Sequence, residues 1–464
     1  MCRTIICLAI ATAFSIPSVA SAAVFTVGIG GTYSTLQAAL TDAANTAGDH
    51  MIKVREGTFV ESIDRQTAMV ADRITISGGW KVFFNGRNLS PGATSIIAPT
   101  QERAAAFELT GGEIVFDGIT FTGGAVVGSE EGGGVYALPY YDASFVMRHC
   151  RIVNNEVNSL LPYGGGLYLH ASGTSHAEIT DCTVSGNSVT SSGSANAAGG
   201  AGIYLAAFSQ ASVEMSWLTV EYNEGWSYST AVSSGGMFIW ADDAATVTLE
   251  DSMIANNSIN GTGVSDVAGV RIIARVLSQV DVHRVALLDT DNTTSSMPDH
   301  LRINAYDSAV VTLTDSVIGP STCTYKALQV VSEALATVNS SNLTITGCPG
   351  YAYRGVAAGP YQSIYNSIIY GNGSDTLVND GDVATGGNLV ATDPLFTAPA
   401  DRNYQIRTGS LAINAGNNSP PGGLSALDYN HMERVHDGTV DVGAHEWGNL
   451  FADDFEIGSA NRWD

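Results

Sequence analysis

Basic residues are scarce in this chain of 464 residues: Lys and Arg total 20 against 45 Asp and Glu, a formal net charge of −25. A phosphate backbone needs a cationic surface, so nucleic acid is excluded as a partner, and an anionic membrane surface is disfavoured for the same reason. Charged residues of both signs make up only 14% of the chain, while 45% are hydrophobic. A disordered chain shows the reverse balance. The 51 glycines follow no three-residue period, which excludes collagen. No C-x-x-C pair occurs, so zinc ribbons and thioredoxin-like sites have no support. After residue 22 no apolar run is long enough to cross a membrane as a helix. What remains is a Gly-rich, acidic, folded protein long enough to bury a large core.

The first 22 residues read as an export signal. Arg3 supplies the positive start, Thr4 to Ile16 the apolar stretch, and Ala20-Ser21-Ala22 the small-residue cleavage site. Cleavage there starts the mature chain at Ala23 and removes Cys2 and Cys7. Cys150, Cys182, Cys323 and Cys348 remain, in a compartment that permits disulfides.

Internal repetition dominates the rest. Gly132-Gly133-Gly134-Val135-Tyr136, Gly164-Gly165-Gly166-Leu167-Tyr168, Gly200-Ala201-Gly202-Ile203-Tyr204 and Gly235-Gly236-Met237-Phe238 are variants of one line. A second line ends in Asn or a turn residue, as in Asp181-Cys182-Thr183-Val184-Ser185-Gly186-Asn187. Aligned on that last position, the repeats fall at Gly124, Asn155, Asn187, Asn223, Asn257, Asp291, Ser321, Cys348 and Asn372, 24 to 36 residues apart. Three residues earlier runs an apolar column that includes Ile152, Val184, Val220, Ile254 and Leu288. Five earlier runs a mostly small one with Cys150, Cys182, Ser252 and Ala286. Six earlier runs a turn-prone one with Gly118, His149, Asp181, Asp251, Val285 and Asp315. Alternation at period 2 opposes a helix. Short strands joined by bends wind a coil, and stacked coils bury a shared interior that no single coil could close.

This pattern, over roughly 104–372, resembles the right-handed parallel β-helix proteins of the pectin-lyase-like superfamily. The expected fold is therefore all-β, a right-handed parallel β-helix solenoid with an N-terminal helical cap. The cap is read in Ser34 to Ala44, where Leu36, Ala39, Leu40 and Ala43 share one face. The expected order is a signal (1–22), a cap with the first coils (23–103), β-helix repeats (104–372), a C-terminal region (373–447) and a tail (448–464). Asp393-Pro394-Leu395-Phe396, Tyr404-Gln405-Ile406, Ser410 to Gly416 and Val440 to Glu446 resemble the choice-of-anchor region of secreted bacterial β-helix proteins. Leu411 stands where that family has Pro and His445 where it has Tyr. The tail from Leu450 resembles a terminal motif on exported proteins of some Gram-negative bacteria.

Such folds host lyases, hydrolases and adhesins, so the fold assigns no activity by itself. Hydrolysis needs an acid and a base flanking the bond. Asp242-Asp243 is a paired Asp, but no Gly-His-Gly and no Arg-Ile-Lys follows it. A lyase needs oxygen ligands for Ca²⁺ and an Arg or Lys base. Aligning Met237 with Val270 and Leu301 puts Phe238, Arg271 and Arg302 in one outward column, and Asp242, Arg275 and Tyr306 in another, with Asp243 just beyond. Asp242, Asp243, Arg271, Arg275 and Arg302 are the candidate catalytic set. A surface ion-pair ladder between adjacent coils is the simpler reading of them, and no family motif is carried onto them. Tyr136, Tyr168, Tyr204 and Phe238 form an outward aromatic column beside Trp240. Rings on a flat face pack on sugars, or they form a ladder under the Gly/Ser loops. Cys150 and Cys182 share an inward column where parallel Cβ vectors favour two thiols. Cys323 and Cys348 lie in turns of adjacent coils, where a disulfide is expected.

The reading is a monomeric, secreted or outer-surface protein of a Gram-negative bacterium that binds a polysaccharide or cell-surface glycan. A pectate-lyase-like enzyme acting on acidic glycans, using Ca²⁺, is the alternative. A passive stalk is the third.

Overall fold

The computed structural model describes residues 22–448 apart from 67, 129–130, 192–198, 228–232, 262–266, 293–298, 323–324 and 437. The segment expected to be an export signal, up to residue 21, the tail beyond 448 and Cys323 lie outside the described residues.

The chain forms a parallel β-helix. Each full coil lays down a strand in each of four lines. The first line includes Val135–Pro139, Leu167–Ala171, Ile203–Ala207, Met237–Ala241, Val267–Ala274, Asp299–Ala305 and Lys326–Ser332. The second includes Ser144–Arg148, His176–Thr180 and Ser212–Ser216; the third Arg151–Val153, Thr183–Ser185 and Thr219–Glu221. Each strand pairs in parallel with its equivalent one coil on, for example Tyr136 with Tyr168 and Ile152 with Val184. A fourth line, Glu156–Ser159 to Ser188–Ser191 and onward, is a separate sheet of six strands. The parallel ladder continues past Asn372 to Leu389–Val390.

Alternation decides what is inside. Ile152, Val184, Val220, Ile254, Leu287, Ile318, Ile345 and Ile369 are buried and stack as one file. Burying each side chain contributes about 1.5–3 kcal/mol. The helix Leu36–Ala44, N-capped by Thr35, lays Leu36, Ala39, Leu40 and Ala43 over the first coil. It hides the open edge that would otherwise template aggregation.

Two inner ladders explain the repeated polar positions. Asn155, Asn187, Asn223 and Asn257 are buried. Each Oδ1 accepts from the preceding coil, as when Asn223 Oδ1 takes Asn187 N–H at 3.0 Å and Asn187 Nδ2 at 2.9 Å. Each Nδ2 also donates to a carbonyl of the preceding coil, Asn223 to Val184 O at 2.9 Å. The glycine lines exist for this ladder. A Cβ on Gly134, Gly166, Gly202 or Gly236 would meet the adjacent Asn Nδ2 at 2.7–3.1 Å. In the second ladder, Ser252 Oγ donates to Glu250 O and accepts Leu218 N–H. Cys150 and Cys182 occupy the same column as buried free thiols, and Cys182 Sγ accepts Cys150 N–H at 3.4 Å.

One coil departs from the expected alignment. Ser252 pairs with Val285, Ile254 with Leu287 and Ser258 with Asp291. The ladder position is therefore Thr290, not Asp291, and the bend residue is Arg284 (φ 52°), not Val285. Threonine lacks the amide that marks the position elsewhere, so the sequence carries no local cue to the register.

The bend column serves a second purpose. Residues 393–447 run back along the outside of the third line and cover Ala255, Ala286, Leu288, Val317 and Ile368 with Phe396, Tyr404 and Val442. Bend residues are the fixing points. Asp251 holds His431 at 3.0 Å, and Asn366 exchanges two bonds with Asn417. Asp315 pairs with the fully buried Arg434, which also reaches Glu446 at 2.9 Å.

Candidate functional site

The outward face of the first strand line carries the candidate residues in the expected columns. Tyr136, Tyr168, Tyr204 and Phe238 stack ring on ring, with centroids 5.1–5.2 Å apart and planes within 12° of parallel. The coil repeat imposes that spacing, because equivalent positions lie about 4.8 Å apart. A guanidinium closes each end of the file, Arg103 over Tyr136 at 4.7 Å and Arg271 over Phe238 at 5.9 Å. Tyr204 and Phe238 are buried, and Tyr163 packs on Tyr204 at 4.6 Å. Ring faces in this file are occupied by other rings, so it presents edges and hydroxyls outward. Burial pushes the Tyr136 hydroxyl up to about 12, which keeps it a neutral donor. A second file, His170, Phe208 and Trp240, runs beside the first.

Beyond Phe238 the same column turns basic. The register reads Phe238, Arg271, Arg302, Gln329, Arg354 in successive coils. Arg275 lies beside it, 3.8 Å from Asp242. Burial, with Arg302 next to it, brings the Arg271 guanidinium down to about 10. At the strand starts Asp299 and Lys326 form a buried pair at 3.3 Å, and Lys326 donates to Gln329 at 2.9 Å. Burial lifts the Asp299 carboxyl to about 6 against the pull of Lys326, Arg302 and Arg354. Arg302 also donates to Asn304 at 3.2 Å, and Asn304 to the Tyr306 hydroxyl at 3.2 Å.

Arg271 and Arg302 are neighbours in one column, and Asp242 and Arg275 face each other past the strand end, four residues further along; Asp243 joins neither pair. It occupies the bend after the strand with φ 57°, and its carboxylate accepts Ser209 N–H at 3.2 Å. Sequence reasoning missed Asp299, Lys326, Gln329 and Arg354. Their coils lack the glycine line, so nothing local marked the register. It also missed His300, fully buried one coil beyond Gly269 in the glycine column, where burial holds its imidazole neutral with a value of about 3. Cys348 is buried; its expected partner Cys323 lies outside the described residues.

No family model matches the chain, and no curated protein matches it. Solved structures do. The pectate lyase Pel9A aligns with a TM-score of 0.46 at 10% identity, over 92% of this chain and 97% of its own. A pectin methylesterase from Aspergillus niger aligns with a TM-score of 0.30 at 15% identity, over 61% of this chain and 84% of its own. Neither likeness says anything of this chain's chemistry.

Proposed function

We propose that this chain is an exported protein, displayed at the outer surface of a Gram-negative bacterium or released from it, that binds an acidic polysaccharide on the outward face of its first strand line. One observation carries the reading. Arg271, Arg302 and Arg354 share one outward column on that face, with Arg275 at the strand end, in a chain of net charge −25; Arg275 faces Asp242 at 3.8 Å and Arg354 pairs with Asp380 at 2.8 Å. A cationic strip on an acidic protein selects anions by contrast with everything around it. Guanidinium forks at one-coil spacing suit carboxylates repeated along a polymer. The neighbouring aromatic file adds hydroxyl donors. The signal-like start and the anchor-like segment 393–447 support display outside the cell.

Retention in gels containing polygalacturonate, alginate or a neutral glucan tests the reading. Slowed migration is expected in the acidic gels only. Arg302→Ala combined with Arg354→Ala should weaken it about tenfold or more, since a charge-assisted bond contributes about 1.5–3 kcal/mol. Equal migration in all three gels refutes the reading.

A lyase is the second reading, favoured by Arg271. A guanidinium brought down to about 10 is a stronger candidate base than an ordinary one. It would take the C5 proton beside the uronate carboxyl while the C4–O bond of the linkage breaks, leaving a 4,5-unsaturated sugar and a departing oxygen that takes a proton from water. Among the described residues no three His, Cys, Asp or Glu converge to hold a metal. A carboxylate set ready for Ca²⁺ is therefore not formed among the described residues. A rise in ultraviolet absorbance on polygalacturonate, lost in Arg271→Ala, distinguishes enzyme from binder.

A further inference from the structure

We infer a second carbohydrate site, apart from the arginine face: a groove along the bends between the first and second strand lines, shaped for an uncharged linear oligosaccharide lying parallel to the solenoid axis. The groove is shallow and open to solvent, with a volume of about 890 Å³, within the range of small-ligand sites. Bends of five successive coils line it, from Tyr141 through Thr174, Ser209 and Asp243 to Leu277. Four coil rises of about 4.8 Å make a slot about 19 Å long. Its exposed lining is mostly apolar, with Tyr141 and Leu277 at the two ends and Ser209 and Gln210 between them. Tyr141 is 68% exposed and Leu277 66%.

Tyr141 takes no part in either ring file, so it offers what Tyr168 and Tyr204 do not, a ring face open to a sugar. Its backbone takes the left-handed conformation that this bend adopts in coil after coil, through Ser209 and Asp243 and on to Asp307 and Ala334 beyond the groove. Tyr141 and Val276 hold φ of 56° and 61°, while the equivalent Gly173 meets the same bend at 81° without cost. A bulky or β-branched residue in that region is disfavoured by about 1 kcal/mol or more.

The chemistry of the floor narrows the occupant. Bend backbone groups are already spent between coils, as in Thr174 N–H to Tyr141 O and Leu277 N–H to Asp243 O. A peptide would find no strand edge to extend. The stacked bends are rigid, so ordering a ligand costs the protein little. The Ser209 hydroxyl and the Gln210 amide suit sugar hydroxyls, while the Thr174 hydroxyl donates to Tyr141 O at 2.9 Å. Asp142 and Asp243 give the groove the wrong charge for uronates.

Titration calorimetry of the mature chain with cellohexaose, xylohexaose and mannohexaose tests the site. At least one should bind. Tyr141→Gly places glycine in a bend that favours it, so the fold should be retained or firmer while affinity falls about tenfold or more. Ala244→Trp fills the slot from the opposite side and should abolish binding. Retention in polygalacturonate gels should be unchanged by both, which separates this site from the arginine face. The inference is overturned if none of the three hexaoses binds, or if both variants bind as the parent does.

Discussion

Removing the carboxamide of Asn223 probes the ladder on which the coil stack depends. Asn223 Oδ1 is the acceptor for Asn187 N–H and Asn187 Nδ2, and its Nδ2 donates to Val184 O and Asn257 Oδ1. In Asn223→Ala the Asn187 N–H and the Val184 carbonyl lose these partners inside a site no water reaches. Stripping a buried polar group costs about 1–3 kcal/mol, so the variant should lose about 4 kcal/mol. Gly202→Ala approaches the same spot from the other side. Its Cβ would lie 2.8 Å from Gly236 O and 2.9 Å from Asn223 Nδ2. The double variant keeps the first contact and loses the second, so the combined loss should fall short of additive by about 1 kcal/mol. Urea unfolding midpoints at a common slope measure all three. An Asn223→Ala variant within about 0.5 kcal/mol of the parent would mean that the ladder is decoration.

Cys182→Ser should be near neutral, because Ser252 already fills that column with the same bonding. Peptide mapping after alkylation should find Cys182 unmodified in the native protein, its thiol pushed well up by burial. Arg434→Ala leaves Asp315 and Glu446 buried without their cation and should cost about 3–5 kcal/mol. Early proteolytic release of residues 393–447 would report it, and parental resistance would contradict the role of the pair. Folded Asp299 keeps its proton between about 4 and 6, where an unfolded carboxyl has lost it, so its contribution to stability declines as pH rises through that window. The arginine face is more cationic below about 6, so polygalacturonate binding should tighten from pH 7 to pH 5. Asp299→Asn should flatten that profile, and identical profiles would refute the assignment.

The coil stack was legible because its constraints are periodic. An inward apolar position, a ladder Asn and a bend residue recur at fixed offsets, so Val184 and Ile254 could be placed inside before any coordinates. The purpose of the glycines was not legible, since the offset between Gly202 and Asn223 in sequence hides that they touch. Register failed where the chemistry of the column changed, at Thr290. For the site, Arg271, Arg275 and Arg302 were found by extending a column from Met237, whereas Asp299 and Lys326 needed the coordinates. Their strands carry a register shift between positions 267 and 270 that no pattern announces. Asp243 illustrates the converse: adjacency to Asp242 suggested a carboxylate pair, but a bend between them sends the two side chains to different faces.

The break in the inner ladders and the change on the outer face occur together. From Gly134 to Gly236 the glycine column, the Asn ladder and the aromatic file run in step, each coil a near copy of the last. In the next coils Thr290 replaces Asn, His300 replaces Gly, and the column beyond Phe238 becomes arginine. There, too, the solenoid buries Asp299, His300 and Lys326, and residues 393–447 pack on its flank. Uniform coils need no such expense; they are stabilised by repetition alone. Departures that bury charge are costly unless they hold something in place. The irregular coils are therefore where selection for a surface, rather than for a stack, is visible, and the arginine face rests on them.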